Sequence, residues 1–160
     1  MTDPQFTELT TKYIDTVYRL ALTRMKNVPE AEDITQTVFL KLYREPKPFA
    51  SESHVKHWLI RVTINECNKV FRNPFRAAEN IADYANTLHF ETAEQSDLFD
   101  AVMALSEKYR LPIFLYYYEE YSIKEIGKII NRKESTIQTQ LSDGRKKLKE
   151  MLEKEGRYNG

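Results

Sequence analysis

The 160-residue chain holds a single cysteine, Cys67. That excludes an internal disulfide and fits a reducing compartment; Cys67 itself reads as a small core residue rather than a nucleophile. Three histidines (His54, His57 and His89) beside one thiol give no metal-ligand spacing, so no metal is expected. The four glycines form no phosphate-cradling loop, and no nucleophile–base set can be assembled. An enzymatic function and a bound cofactor are therefore not expected. Few glycines and few alternating β-branched runs argue for an all-α chain. No apolar run approaches membrane-spanning length, and the first residues lack a basic-then-apolar signal pattern, so a cytoplasmic protein with no membrane insertion is expected. Charge of one sign is also missing: Lys plus Arg and Asp plus Glu are 24 each. A net charge of zero speaks against a protein that grips DNA unaided, because phosphate contacts dominate such affinity.

Charge is present, but partitioned. Residues 1–76 carry 12 basic and 9 acidic side chains, residues 77–100 carry 6 acidic and none basic, and residues 101–160 carry 12 and 9. Two mildly basic lobes thus flank an acidic connector. Pro74 and the absence of a sustained period over 73–97 mark that connector as an extended, flexible linker. The expected architecture is all-α: two small helical domains, 1–75 and 98–155, joined by a linker over 76–97.

In the first lobe, Phe6, Leu9, Tyr13, Val17, Leu20 and Arg24 keep a three-and-four spacing that predicts a helix over 5–26, with Thr2 or Asp3 as cap. A break at 27–29 leads into a second helix over 29–44. Ala31, Ile34, Val38 and Leu42 line one face of it, with Phe39 at the edge. Asp33, Gln36, Leu40 and Tyr43 form an opposite stripe. A lone exposed leucine needs no explanation; two large apolar groups beside a carboxylate, on a helix already buried elsewhere, suggest a partner surface. Two prolines make 45–53 a loop, whose Phe49 either anchors it in the core or offers a face for a base to stack on. A third helix over 52–72 is apolar around most of its circumference. His57, Arg61, Asn65, Asn68 and Arg72 form a narrow strip on it, with Trp58 and Lys69 beside, and no acid interrupts the strip. Either it is a solvated face, or its Arg and Asn groups hold phosphates and base edges.

The second lobe predicts short helices over 98–105 (Leu98, Val102, Leu105) and 107–118 (Leu111, Phe114, Leu115, Tyr118). Two helices joined by a tight turn follow. Ser122 and Glu125 suit a capping box, and Ile123, Ile126, Ile129 and Ile130 give an apolar face. Asn131 suits a left-handed terminus, and Gly127 suits a close approach of the two helices. Arg132 and Lys133 fill the turn. The next helix, from Glu134 or Ser135, buries Ile137, Leu141 and Leu148 and shows Thr136, Gln138, Thr139, Gln140 and Ser142 on its other face. Such a pair is either an ordinary helical hairpin or a helix-turn-helix whose polar face enters a DNA major groove.

The order and spacing of these three segments resemble bacterial RNA polymerase sigma factors of the extracytoplasmic-function (ECF) class. AEDITQTVFLKLYR resembles the segment that binds the polymerase clamp helices, HVKHWLIRVTINECNKVFR the segment that melts and reads the minus-10 element, and YSIKEIGKIINRKESTIQTQLSDGRKKL the helix-turn-helix that reads the minus-35 element. The resemblance implies that Asp33, Gln36, Phe39, Leu40 and Tyr43 face the clamp. It implies that Phe49, His57, Trp58, Arg61, Asn65, Asn68, Lys69 and Arg72 hold the non-template strand. It places Arg132, Lys133, Ser135, Thr136, Gln138, Thr139, Ser142, Arg145 and Lys146 at the minus-35 duplex. The implied partners are core RNA polymerase (clamp helices and flap), promoter DNA and an anti-sigma factor. The family often has Arg where Gln140 and Asp143 stand here, which weakens phosphate contacts in the last helix; Arg132, Lys133, Arg145 and Lys146 compensate.

Overall fold

The computed structural model describes residues 1–74, 90 and 92–154. Among these residues there are seven α-helices and no strand. The chain divides into two compact units, Met1–Thr87 and Leu88–Gly160. The all-helical expectation holds. The connector's course over 75–89 and at 91 lies outside the described residues.

The first unit contains α1 (Asp3–Met25), α2 (Val28–Arg44) and α3 (Glu52–Phe71). Thr2, not Asp3, caps α1, in a reciprocal box with Gln5. Lys26 ends the helix in the left-handed region, and Asn27 at once caps α2 by accepting the Glu30 amide at 2.9 Å. The break is therefore narrower than the sequence suggested: Val28 and Pro29 already lie in the first turn, where a proline forfeits no hydrogen bond. Val17, Leu20 and Met25 meet Ala31, Val38 and Leu42 of α2 and Leu59, Ile60 and Cys67 of α3 in a core from which solvent is excluded. The buried hydroxyls of Thr23, Thr35 and Thr63 each donate to the carbonyl four residues back, so none is left orphaned there.

The second unit contains α4 (Ala93–Ala104), α5 (Glu107–Ile113), α6 (Ile123–Ile130) and α7 (Glu134–Lys154). Two expectations need correction here. The fourth helix starts at Ala93 rather than Leu98: Thr92 caps it by accepting the Gln95 amide at 3.1 Å, and Glu94 suits a helix N-terminus electrostatically. The acidic residues just before Leu98 are thus partly a helix start, not linker. Val102 and Leu105 are buried as expected, but Leu98 is 39% exposed and Phe99, 1% exposed, takes the core position in its place. The second correction concerns 107–118, which is not one regular helix. Beyond Pro112, which has no N–H to give, the ladder widens into a π-helical turn over Phe114–Tyr118. The Glu119 amide reaches the Phe114 carbonyl at 3.3 Å. The three tyrosines part company there. Tyr118 stacks on Phe114 at 5.4 Å between centroids, and Tyr117 stays outside, 46% exposed.

Candidate nucleic-acid and polymerase interfaces

On α2 the structure brings Asp33, Gln36, Leu40 and Tyr43 together on the exposed face, with Leu40 and Tyr43 about half exposed at 48% and 47%. Phe39 does not join them. It is 6% exposed and belongs to the core, because one step along a helix turns the side chain away from Leu40 by more than a quarter turn; its place in the expected partner surface is corrected accordingly. Tyr43 is oriented from α1: its ring meets Phe6 edge-on at 5.0 Å, and its hydroxyl donates to Asp3 Oδ1 at 3.1 Å.

On α3, Arg61, Asn65, Asn68, Lys69 and Arg72 are exposed in line, and His57 and Trp58 are half-buried at the strip's N-terminal end. Ser51 caps this helix by accepting the His54 amide at 3.2 Å. Phe49, half-buried in the preceding loop, meets His54 and Trp58 edge-on at 5.3 and 5.6 Å. The Ala50 amide donates to His54 Nδ1 at 3.1 Å, which ties the loop to the helix. Phe49 thus anchors the loop on α3 while part of its ring stays at the surface beside Trp58.

The strip is not as free of acid as its spacing suggested. Glu66 lies at its edge and accepts from Lys41 Nζ of α2 at 2.5 Å and from Lys69 Nζ at 3.1 Å. Burial alone would raise the Glu66 pKa; hydrogen bonds and charge from the two lysines together hold it below the ordinary carboxylate range. Asn68 has a partner too, since Arg24 Nη2 of α1 donates to its Oδ1 at 2.5 Å. Asn65, Glu66, Asn68, Lys69 and Arg72 line a cavity of about 320 Å³ together with Lys41 and Val62. A full helical wheel would have flagged Glu66; its lysine partner on α2 and the Arg24 contact join residues far apart in sequence and have no local signal.

The α6–α7 pair is built as the sequence implied. Ser122 accepts the Glu125 amide and Glu125 Oε1 accepts the Ser122 amide, both at 3.1 Å. Asn131 ends α6 in the left-handed region at φ 55°. A Cβ on Gly127 would stand 2.8 Å from the Arg132 carbonyl oxygen, so the turn closes only over glycine. Ile137, Leu141 and Leu148 are buried, whereas Ser135, Thr136, Gln138 and Thr139 are exposed and Ser142 is half-buried. Lys133, Arg145 and Lys146 are exposed as well. Arg132 is half-buried and donates to Gln140 Oε1 at 3.0 Å, and Arg145 donates to the Tyr117 hydroxyl at 3.2 Å.

This geometry matches known proteins in order and extent. A family model described as Sigma-70 region 2 matches residues 9–73, and one described as Sigma-70, region 4 matches residues 96–148. The ECF RNA polymerase sigma factor SigW of Bacillus subtilis is 30% identical over 92% of this chain and 88% of its own length. The chain belongs to the ECF sigma factors of the sigma-70 family. It is a promoter-recognising factor of RNA polymerase. The ECF RNA polymerase sigma factor SigM of the same bacterium is 29% identical over 89% of this sigma factor and 91% of its own length. In fold the sigma factor resembles RpoE of Bartonella quintana, solved in complex with the anti-sigma factor NepR: TM-score 0.71, 20% identity, covering 93% of this chain and 97% of that one.

One feature of the sigma factor had no sequence signal. Leu98, Val102, Tyr117, Leu148 and Leu152 line an apolar groove of about 470 Å³ in the second unit, with Arg145 and Lys149 among its walls. Two of its walls are the exposed Leu98 of α4 and the exposed Tyr117 of the π turn. Among the described residues, no helix is long and apolar enough to cross a membrane.

Proposed function

We propose that the three exposed faces divide the work of initiation. Asp33, Gln36, Leu40 and Tyr43 of α2 dock on the polymerase clamp helices. Arg61, Asn65, Asn68, Lys69 and Arg72 of α3, with Phe49, His57 and Trp58, take the unstacked non-template strand of the minus-10 element. Arg132, Lys133, Ser135, Thr136, Gln138, Thr139, Ser142, Arg145 and Lys146 meet the minus-35 duplex. The observation that carries this reading is the α3 strip. Basic and amide groups stand in line there, beside an aromatic pair, on a helix whose opposite side is core. Cations suit phosphates, amides suit base edges, and aromatic faces suit unpaired bases.

The two domains of this division span 1–75 and 98–155, with residues 93–97 of α4 added to the second. We read the exposed apolar groove of the second unit, lined by Leu98, Tyr117 and Leu152, as the seat for the polymerase flap. A partner of the kind seen with RpoE of Bartonella quintana, an anti-sigma factor, would act by covering one of these faces. The factor works in the cytoplasm, without catalysis of its own and without cofactor.

Zero net charge and the Gln140 and Asp143 substitutions for arginine predict little promoter binding by the free chain at physiological salt, and firm binding once core polymerase is added. Gel shift of the free chain and of holoenzyme on the same promoter measures both. Tight, sequence-specific binding by the free chain would favour a stand-alone helix-turn-helix regulator instead.

A further inference from the structure

The two asparagines of the α3 strip differ in what holds them. Asn68 is bound by Arg24, which lies on the buried face of α1 and is 6% exposed. The guanidinium stands 5.0 Å from the centre of the Phe71 ring, and Nη2 reaches Asn68 Oδ1 at 2.5 Å. A guanidinium has donors only. The amide atom facing it is therefore the carbonyl oxygen, and the NH₂ group is turned away. An unrestrained asparagine can rotate its amide to offer either a donor or an acceptor; one whose oxygen is held by a buried cation in a charge-assisted bond offers the donor. The neighbourhood reinforces this polarity. Lys69 and Arg72 can only donate, and the Glu66 carboxylate is engaged by Lys41 and Lys69.

We propose that Arg24 is a positioning residue that fixes Asn68 as a hydrogen-bond donor, so that this point of the strip selects unpaired bases by an acceptor edge and disfavours exocyclic amino edges. The proposal rests on the α3 strip being the minus-10 surface. Arg24 itself touches no DNA. Its contribution is to remove one of the two orientations available to the Asn68 amide.

The test uses holoenzyme on promoters carrying a pre-melted minus-10 bubble, with each unpaired position substituted by all four bases. At one position the unaltered factor prefers the keto bases, guanine and thymine, which present an oxygen at C6 or C4, over the amino bases, adenine and cytosine, by roughly tenfold. Asn68→Asp keeps the size and the Arg24 partner but replaces the outward donor with an acceptor. It should abolish that preference while thermal stability is unchanged or raised. Arg24→Met should flatten the preference at the same position, and Arg24→Lys should restore part of it. If Asn68→Ala loses the preference while Arg24→Met and Asn68→Asp both keep it, Asn68 reads the base without Arg24 and the proposal is overturned. Uniform loss over all bases and positions in Arg24→Met, with the preference intact in Asn68→Asp, would reduce Arg24 to packing. No effect of Asn68→Ala at any position would remove the minus-10 reading of Asn68 itself.

Discussion

Gly127 shows how much a single residue can decide. Its missing Cβ leaves room for the Arg132 carbonyl at a distance no side chain tolerates, and that neighbour is backbone, which cannot swing aside. Gly127→Ala should force the α6–α7 turn to shift and cost about 1–3 kcal/mol of stability, the usual toll of overpacking. Thermal denaturation of the variant checks this, and an unchanged midpoint would contradict it. Gly127, Ser122 and Asn131 were all legible in the sequence, because caps and close approaches are set by the local chain. Arg24 was half legible. Its place in an apolar stripe was visible, but the bond to Asn68 spans 44 residues and depends on how α1 packs on α3. Phe39 was misplaced because an edge position on a wheel goes to core or solvent according to the neighbouring helices, which a wheel does not show.

At the scale of elements, α2 is apolar on two sides for different reasons. Phe39 belongs to the fold and Leu40 does not, and adjacent substitutions should separate them. Phe39→Ala should destabilise the first unit by about 3–5 kcal/mol, as removal of a buried aromatic does. Leu40→Ala and Asp33→Lys should leave helicity intact and weaken core-polymerase binding tens-fold, about 2 kcal/mol. Circular dichroism beside a polymerase titration distinguishes the cases; unchanged binding with unchanged helicity would remove α2 from the interface. Glu66 ties α2 to α3 through Lys41. Its pKa lies below the ordinary value of 4.5 in the folded chain, so as pH falls the unfolded chain takes up the proton first. The ion-pair contribution is complete above that ordinary value and is lost as pH drops through the folded-state pKa. Glu66→Gln should therefore cost about 0.5–1 kcal/mol near neutrality, with the two stability curves converging in acid. Parallel curves down to low pH would show that the carboxylate contributes nothing. Elements with strong apolar period, α1 to α3 and α6 to α7, were readable in advance. The start of α4 was not, since the acids that favour a helix N-terminus also resemble a solvated linker. The π turn was not either, because Pro112 marks a disturbance without saying which form it takes.

At the scale of the molecule, a chain of zero net charge carries two separate exposed faces that we propose meet DNA. The α3 strip offers side chains suited to unpaired bases, and the α7 face offers short polar groups suited to a duplex groove. If the labour is divided in this way, the two surfaces act at different steps. Gln138→Ala should weaken the closed complex, by roughly 1–3 kcal/mol if Gln138 makes a bidentate base contact, and a pre-melted bubble should not rescue it. Asn65→Ala should leave closed-complex binding near normal and reduce the open bubble. The most direct measurement is permanganate footprinting of the bubble alongside filter binding of the closed complex, on one promoter, for both holoenzyme variants. The account predicts a melting defect in Asn65→Ala and a binding defect in Gln138→Ala; normal melting in the first together with normal binding in the second would contradict it.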